Sequence, residues 1–484
     1  MKKLLFLFVL SICSVTEGIS QSQFQQFLQR VNTATQADRP AIVDSFTVYA
    51  RSKGIPFIEG DTANFIYRGN VSAVFLAGDM NGWTTNVALK RIAGTTFYYY
   101  SHEYEANARL DYKFVENGSN WILDPSNPHT CSGGFGPNSE LAMPDYVQPW
   151  EIAYRPTVRH GSLIGRTVRS ASVGANYTVQ IYVPAGYDTS KSYPSVYFQD
   201  GGEYLSLASA RNILDNLIDS NLIQPLIGVF VTPNNRNEEY AGGLRNSYRT
   251  FFATELVPLI DSLYRTRRDP AGRLVMGDSY GGNISALISY YYPGVFGNCG
   301  LHSGAFQNFN HEADSLWYHA PAGNTRFVSV WGTYEPLWDD MRAFRDKMTG
   351  AGHEFHALEL PEGHSWGQWR ATIDFILRNT FPPVPSSVRE SGVEQPSNIS
   401  LLRNYPNPFN PSTEISFSVP VRSYAVLNIY TALGQLVARI HDGIVEAGKE
   451  YRIQYDGSGL ASGVYYAVLQ YGEAVKTRKI LLMR

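Results

Sequence analysis

Cysteine is almost missing from this 484-residue chain, which has three: Cys13, Cys131 and Cys299. That excludes a small disulfide-stapled scaffold and a cysteine-rich metal domain. Cys13 falls in the N-terminal leader. Cys131 and Cys299 are far apart in sequence, and although an oxidising compartment could pair them, two buried thiols that do not pair are expected. Basic clusters are lacking as well. The net charge is −3 and no long Lys/Arg run occurs, so nothing favours nucleic acid or an anionic membrane surface. Long apolar runs are also absent: the N-terminal stretch over residues 4–12 is too short to cross a bilayer, so no transmembrane helix is expected. No tandem repeat is evident.

What is present is apolar content of 44% and an aromatic share of 13%, with 32 tyrosines. Such a chain can bury real cores, and its length suits about three domains at ~150 residues each. Lys2 and Lys3 before the apolar stretch, then Gly18-Ile19-Ser20 ahead of Gln21, read as a signal peptide over residues 1–20. Leu10-Ser-Ile-Cys13 is a poor lipoprotein box because Ile12 is too bulky before the cysteine. Residues 21–60 carry a helical apolar face: Phe24, Phe27, Leu28 and Val31, then Ile42, Val43 and Phe46. Over residues 61–146 the period becomes two, with strands expected at 64–68, 72–77, 96–101 and 109–115. Asn81-Gly82 and Asn117-Gly118 mark turns between them. This is a small β-sandwich.

Over residues 150–381 the pattern changes again. Apolar strands at 177–183, 195–198, 226–232, 273–276, 327–331 and 354–359 alternate with helical stretches such as 208–220 and 250–264. Alternating βα units imply a mostly parallel sheet covered on both faces. A proline- and serine-rich linker follows at 382–399, and residues 400–484 return to β alternation, with strands at 413–419, 425–430, 451–455, 464–470 and 476–482.

Within the βα region, the strand at 273–276 runs into Gly277-Asp-Ser-Tyr-Gly-Gly282 and then a helix. Strand, Gly-x-Ser-x-Gly, helix lifts a serine hydroxyl out of a sharp turn. Serine is a weak nucleophile and needs a base, itself oriented by an acid. Gly332-Thr-Tyr-Glu335 follows one strand, and Pro361-Glu-Gly-His-Ser-Trp366 follows the next. The expected roles are Ser279 as nucleophile, His364 as base and acid, and Glu335 as orienting carboxylate. Asp339 and Asp340 are the fallback acids. Oxyanion donors are expected from the backbone of Tyr280 and from Gly202, with Gly201 next, in the turn Gln199-Asp-Gly-Gly-Glu-Tyr204. Tyr204, Trp338 and Trp366 are open between pocket wall and core. His353-Glu-Phe-His356 falls one residue short of a zinc-protease helix, so no metal or cofactor is expected.

Taken together, Asp200-Gly-Gly, Gly277-Asp-Ser-Tyr-Gly-Gly282, Gly332-Thr-Tyr-Glu335 and Gly363-His-Ser-Trp366-Gly-Gln-Trp369 resemble the Putative esterase family. That family includes esterase D, enterochelin esterases, and the feruloyl and acetyl-xylan esterases of carbohydrate esterase family 1. Many members carry Asp where this chain has Glu335, which leaves the acid open. Phe75-Leu-Ala-Gly-Asp-Met-Asn-Gly-Trp83, Tyr112-Lys-Phe114 and Trp121-Ile-Leu-Asp-Pro125 resemble a family-48 carbohydrate-binding module. By that resemblance Trp83, Lys113 and Trp121 would contact glycan; a structural lid is the other reading. Asn404-Tyr-Pro-Asn-Pro-Phe-Asn-Pro411, Gly457-Ser-Gly-Leu-Ala-Ser-Gly-Val-Tyr465 and Lys479-Ile-Leu-Leu482 resemble the C-terminal sorting domain of the type IX secretion system.

The expected fold is therefore α/β: an α/β-hydrolase domain flanked by an N-terminal β-sandwich and a C-terminal immunoglobulin-like β-sandwich. The resemblances imply export through the periplasm and outer membrane, to the medium or the cell surface. The type IX machinery and an ester substrate, possibly polysaccharide-linked, are the implied partners. Feruloyl or acetyl esters of plant polysaccharide lead as substrates. Siderophore ester hydrolysis, acyl transfer, and a non-catalytic glycan-binding surface protein are the alternatives.

Overall fold

The computed structural model describes residues 21–383 and 401–483, apart from 308–310, 322, 420–422, 432–433, 447–448 and 472–473. The expected signal peptide and most of the expected linker lie outside the described residues. The chain divides into two compact units. Residues up to Thr130 and Asn138–Tyr146 form the first; Cys131–Pro137 and everything from Val147 onward form the second.

The first unit opens with helices α1 (Gln23–Thr33) and α2 (Arg39–Lys53). Its strands are β1 (Phe57–Glu59), β2 (Thr62–Arg68), β3 (Val74–Gly78), β4 (Val87–Ala88) and β5 (Lys90–Arg91). They continue with β6 (Phe97–Glu103), β7 (Arg109–Glu116), β8 (Asn120–Ile122), β9 (Thr130–Cys131) and β10 (Asn138–Ala142). One sheet has the order β1-β2-β6-β5; the other runs β4-β3-β7-β10-β9, with β8 beside β7. Period-two burial lets β2 face two partners at once. Ile66 joins the helix residues Phe24, Phe27, Val31, Val43 and Phe46 in one cluster. Phe65 and Tyr67 meet Tyr112 and Phe114 of the second sheet edge-on, at 5.0 and 5.5 Å. Asn117 (φ 53) and Gly118 (φ 78) both adopt the left-handed conformation that a tight β7–β8 turn demands.

The second unit is built on an eight-stranded sheet of β11 (Ser162–Arg169), β12 (Asn176–Val183), β13 (Ser195–Phe198) and β14 (Ile227–Thr232), continued by β15 (Arg273–Asp278), β16 (Asn298–His302), β17 (Arg326–Gly332) and β18 (Phe355–Leu360). The order is β11-β12-β14-β13-β15-β16-β17-β18. The first two pairings are antiparallel and the rest parallel. Two of these strands, β11 and β16, are not among those expected from sequence. The edge strand β11 is largely exposed and polar. The central strand Asn298-Cys-Gly-Leu-His302 is short and interrupted by Gly300, whose added Cβ would lie 2.7 Å from Met276 Cβ.

Connecting helices are α3 (Gly201–Ser206), α4 (Ala210–Asp219), α5 (Arg236–Tyr240), α6 (Arg245–Thr250), α7 (Val257–Leu263) and α8 (Tyr280–Tyr291), followed by α9 (Glu312–His319), α10 (Trp338–Gly350) and α11 (Trp366–Thr380). The helix expected over 250–264 is broken: a π-helical turn, Phe251–Leu256, separates α6 from α7. Alternate strand residues feed two cores. Val196, Phe198, Leu274 and Met276 join Ile213, Leu217, Ile373 and Ile376 on one face. Tyr197 and Val275 join Ile260, Ile284, Trp317 and Phe344 on the other. Cys131 and Cys299 are buried in different cores, so no disulfide joins them.

The tail holds β19 (Leu401–Tyr405), β20 (Ser412–Ser418), β21 (Ser423–Thr431), β22 (Leu436–Val445), β23 (Tyr451–Asp456), β24 (Gly463–Tyr471) and β25 (Ala474–Leu482). Sheets β19-β20-β23 and β22-β21-β24-β25 share one core through Ile415, Phe417, Leu427, Ala467 and Leu469.

Gly201 shows how closely the βα turns pack. A Cβ there would sit 2.3 Å from the Val231 nitrogen and 2.4 Å from the Phe230 carbonyl carbon. Gly201→Ala should therefore cost about 1–3 kcal/mol by overpacking. Gly294→Ala, with nothing within 4 Å of the new methyl, should stay within ~0.5 kcal/mol. Urea denaturation midpoints of the two variants check the contrast.

Candidate active site

Ser279 follows β15 directly and caps α8 at φ 53 and ψ −116. A non-glycine residue in that region is strained, and surroundings must hold it there. The structure shows what does. The Ser279 N–H donates to the His302 carbonyl at 2.8 Å, and its own carbonyl accepts from Ala305 N–H at 3.0 Å. The neighbouring glycines leave no room for side chains. A Cβ on Gly277 would meet the Gly281 carbonyl at 2.6 Å, and one on Gly282 would meet Gly304 Cα at 2.9 Å. The buried strand thus ends in a partly exposed serine.

Glu335 and His364 leave the ends of β17 and β18. His364 Nδ1 donates to Glu335 Oε2 at 2.6 Å. Glu335 Oε1 accepts the Gly332 N–H at 3.1 Å, and the side chain is fully buried. Tyr334 N–H donates to the Glu362 carbonyl at 3.0 Å, tying the acid loop to the histidine loop. With Nδ1 committed to a carboxylate, the imidazole presents Nε2 as its basic nitrogen. The ring packs edge-on against Trp369 at 5.0 Å, and Trp369 Nε1 donates to Ser303 Oγ at 3.3 Å. Ser303 follows His302, which holds the Ser279 amide. The acid and histidine are therefore joined directly, and the serine is linked to them through the end of β16. Asp339 and Asp340 lie in the first turn of α10, while Glu335 occupies the histidine.

A second histidine was not singled out from sequence. His302 is fully buried, with Nδ1 on the Tyr204 hydroxyl at 2.8 Å and Nε2 on Thr372 Oγ1 at 3.1 Å. Burial pushes its pKa down to about 3, so it is neutral and serves as packing beneath the site. Tyr204 is fully buried and Trp366 nearly so, the two meeting edge-on at 5.1 Å. They are core rather than pocket wall. Trp338 is half-buried, with Arg342 over its ring at 4.4 Å.

Tyr280, Gly201 and Gly202 occupy the first positions of α8 and α3, where backbone N–H groups have no intrahelical acceptor. Asp200 precedes the glycine pair at φ 52. Its carboxylate receives a two-pronged contact from Arg236, and Arg236 also reaches Asp278, beside the serine. Sequence reading missed this guanidinium because nothing near Arg236 in the chain marks it.

In the first unit, Val115 pairs with both Phe75 and Trp121, and Lys113 pairs with Ala77. Directly opposed residues share a face, so Lys113 and Trp121 lie on the same face of that sheet, with Trp121 44% exposed. Trp83 is half-buried, and its Nε1 donates to Asp79 Oδ1 at 3.0 Å.

A parallel-sheet hydrolase core, a strained serine elbow and a carboxylate-held histidine define the class. Comparison with known proteins agrees: residues 170–380 match the Putative esterase family, and that span is an esterase domain. Residues 403–483 match the secretion system C-terminal sorting domain, which implies secretion by the type IX, outer-membrane route. The endo-1,4-beta-xylanase/feruloyl esterase of Xylanibacter ruminicola is 32% identical over 197 residues, covering 38% of this chain and 27% of that protein. The uncharacterized protein YjcH of Bacillus subtilis is 28% identical over 145 residues, covering 29% of this chain and 60% of its own. The chain thus spans less than two thirds of these curated relatives. The enterobactin esterase FES of Shigella flexneri, solved in the presence of enterobactin, superposes with TM-score 0.57 at 19% identity, over 66% of this chain and 92% of that one. This last likeness shows the fold.

If Glu335 orients the base, Glu335→Gln should lower kcat by ~10²–10⁴-fold, and Asp339→Asn and Asp340→Asn should stay within about threefold. Steady-state hydrolysis of a nitrophenyl ester by all three variants separates the candidate acids.

Proposed function

We propose that this chain is a secreted serine carboxylic-ester hydrolase working through an acyl-Ser279 intermediate. The observation that carries the reading is the 2.6 Å bond between His364 Nδ1 and the buried Glu335, set beside a serine held on a strained strand-to-helix turn. In the proposed cycle Ser279 Oγ attacks the ester carbonyl as His364 Nε2 takes its proton. The Tyr280 and Gly202 N–H groups hold the oxyanion. The proton then passes to the leaving alcohol. Water, deprotonated by the same nitrogen, attacks the acyl-enzyme, and the carboxylic acid leaves as Ser279 regains its proton. Glu335 stays ionised throughout and holds the imidazolium.

The favoured substrates are feruloyl or acetyl esters of plant polysaccharide. Support comes from the export tail, from the named activity of the Xylanibacter relative, and from the sheet face that carries Lys113 and Trp121 in the first unit. An indole there suits the apolar C–H face of a pyranose. In this reading Trp83, pinned by Asp79, adds a second indole, and the first unit holds glycan for the hydrolase. Release from the cell or retention on its surface after sorting completes the proposal.

The test is an ester panel of methyl ferulate, feruloylated arabinoxylan oligosaccharide, acetylated xylan and a catecholate-serine ester, run with wild type and Ser279→Ala. Turnover should be highest on the first three and fall by at least ~10³-fold in the variant. Retained turnover in Ser279→Ala would remove the nucleophile assignment, and a preference for the catecholate ester would move the substrate class to siderophores. For the glycan reading, Trp121→Ala should lose retardation in affinity gels containing xylan or α-glucan while keeping nitrophenyl acetate turnover. Equal migration of both proteins would end it.

A further inference from the structure

Acyl transfer as proposed above needs N–H groups from two separate βα turns held in fixed register, and small misplacements are costly. One turn, Asp200–Gly202, follows β13. The other, Asp278–Tyr280, ends β15. Arg236 comes from a third element, the first residue of α5 beyond β14. Its Nε and Nη2 donate to Asp200 Oδ1 and Oδ2 at 2.9 and 2.8 Å. The same Nη2 donates to the Asp278 carbonyl at 3.1 Å and to Asp278 Oδ2 at 3.3 Å. One guanidinium therefore grips Asp200, just before the Gly201-Gly202 pair, and Asp278, two residues before Tyr280.

The surroundings fit a clamp. Asp200 and Asp278 are both 2% exposed. Asp200 sits in the left-handed region, and its N–H donates to the Tyr240 hydroxyl at 2.9 Å. A Cβ on Gly281, the second residue of α8, would lie 3.0 Å from Asp200 Oδ2, so the two turns already touch. The guanidinium lies over the rings of Tyr240 and Tyr280, at 5.6 and 5.5 Å. Burial raises both carboxyls, and Arg236 opposes the rise. Without the cation, Asp200 would be a buried charge with no counter-ion.

We propose that Arg236 is the positioning residue of the oxyanion hole, a two-headed clamp locking the Asp200–Gly202 turn against the serine elbow. The proposal rests on the serine-hydrolase reading and adds the element that fixes its geometry. Lysine cannot replace the fork, because an ammonium offers a point charge without paired, coplanar donors.

The test uses the full chain with Arg236→Met and Arg236→Lys. Active sites are counted by fluorophosphonate titration, and kcat and KM are measured on nitrophenyl acetate. The Ki of phenylboronic acid, whose tetrahedral adduct on Ser279 sets an oxygen in the oxyanion position, is measured on the same preparations. Per titrated site, kcat should fall ~10²-fold in Arg236→Met and ~10-fold in Arg236→Lys. KM should stay within about twofold, and boronate Ki should rise in parallel with the loss in kcat/KM. Should the methionine variant not fold, the lysine variant decides on its own numbers. A kcat within threefold of wild type per titrated site, or a loss carried by KM with boronate affinity unchanged, would overturn the clamp. Failure of the hydrolase reading looks different: fluorophosphonate would then label Ser279→Ala as readily as wild type.

Discussion

The candidate site depends on a serine held at φ 53 on a turn that leaves no space for a Cβ on Gly277 or Gly282. Such a conformation persists only where its surroundings over-determine it. Here the restraint is distributed over the sheet. His302 and Ala305 hold the Ser279 amide and carbonyl, Gly304 fills the space beside Gly282, and Gln199 and Asp200 close over Gly281. The central parallel strands bury both faces, and that burial is what makes so strained a turn tolerable.

Two buried electrostatic arrangements sit at the same end of the sheet and do different work. Glu335 has one cationic partner to serve, the imidazolium that would form on His364, and a backbone N–H takes its other oxygen. Asp200 and Asp278 share one permanent cation, Arg236, which fixes the two carboxyls relative to each other. Neutral His302 lies beneath both, with its two nitrogens on Tyr204 and Thr372. Catalysis needs both kinds of charge: one poised to respond, others held still.

The three regions flanking and forming the hydrolase show how unevenly a sequence declares itself. Period-two alternation made β20, β21 and β24 readable, because each buries one face against a partner sheet, while β2 and β7, buried on both faces, were legible by their dense aromatic and apolar content. Strands β11 and β16 escaped notice for opposite reasons. The first is a polar edge, and the second is too short and glycine-broken to stand out. The break between α6 and α7 did carry a mark, Pro258 in the first turn of α7, which the reading of one helix over 250–264 passed over.

Of the candidate site, the residues that must lie close in the chain to work were legible. A Gly-x-Ser-x-Gly turn is local chemistry, and the order serine, acid, histidine follows from loops at successive strand ends, so Ser279 and His364 stood out as candidates, while the acid stayed open among Glu335, Asp339 and Asp340 until the Glu335–His364 contact was seen. Arg236 could not. Its partners are 36 and 42 residues away, and no periodicity or motif links one arginine to two aspartates on other strands. The folding of β13, β14 and β15 side by side brings them together, because neighbouring parallel strands deliver their C-terminal loops to one edge whatever the sequence distance. Local sequence thus picked out the candidate side chains of the site. Tertiary packing alone decided which charge holds them in register.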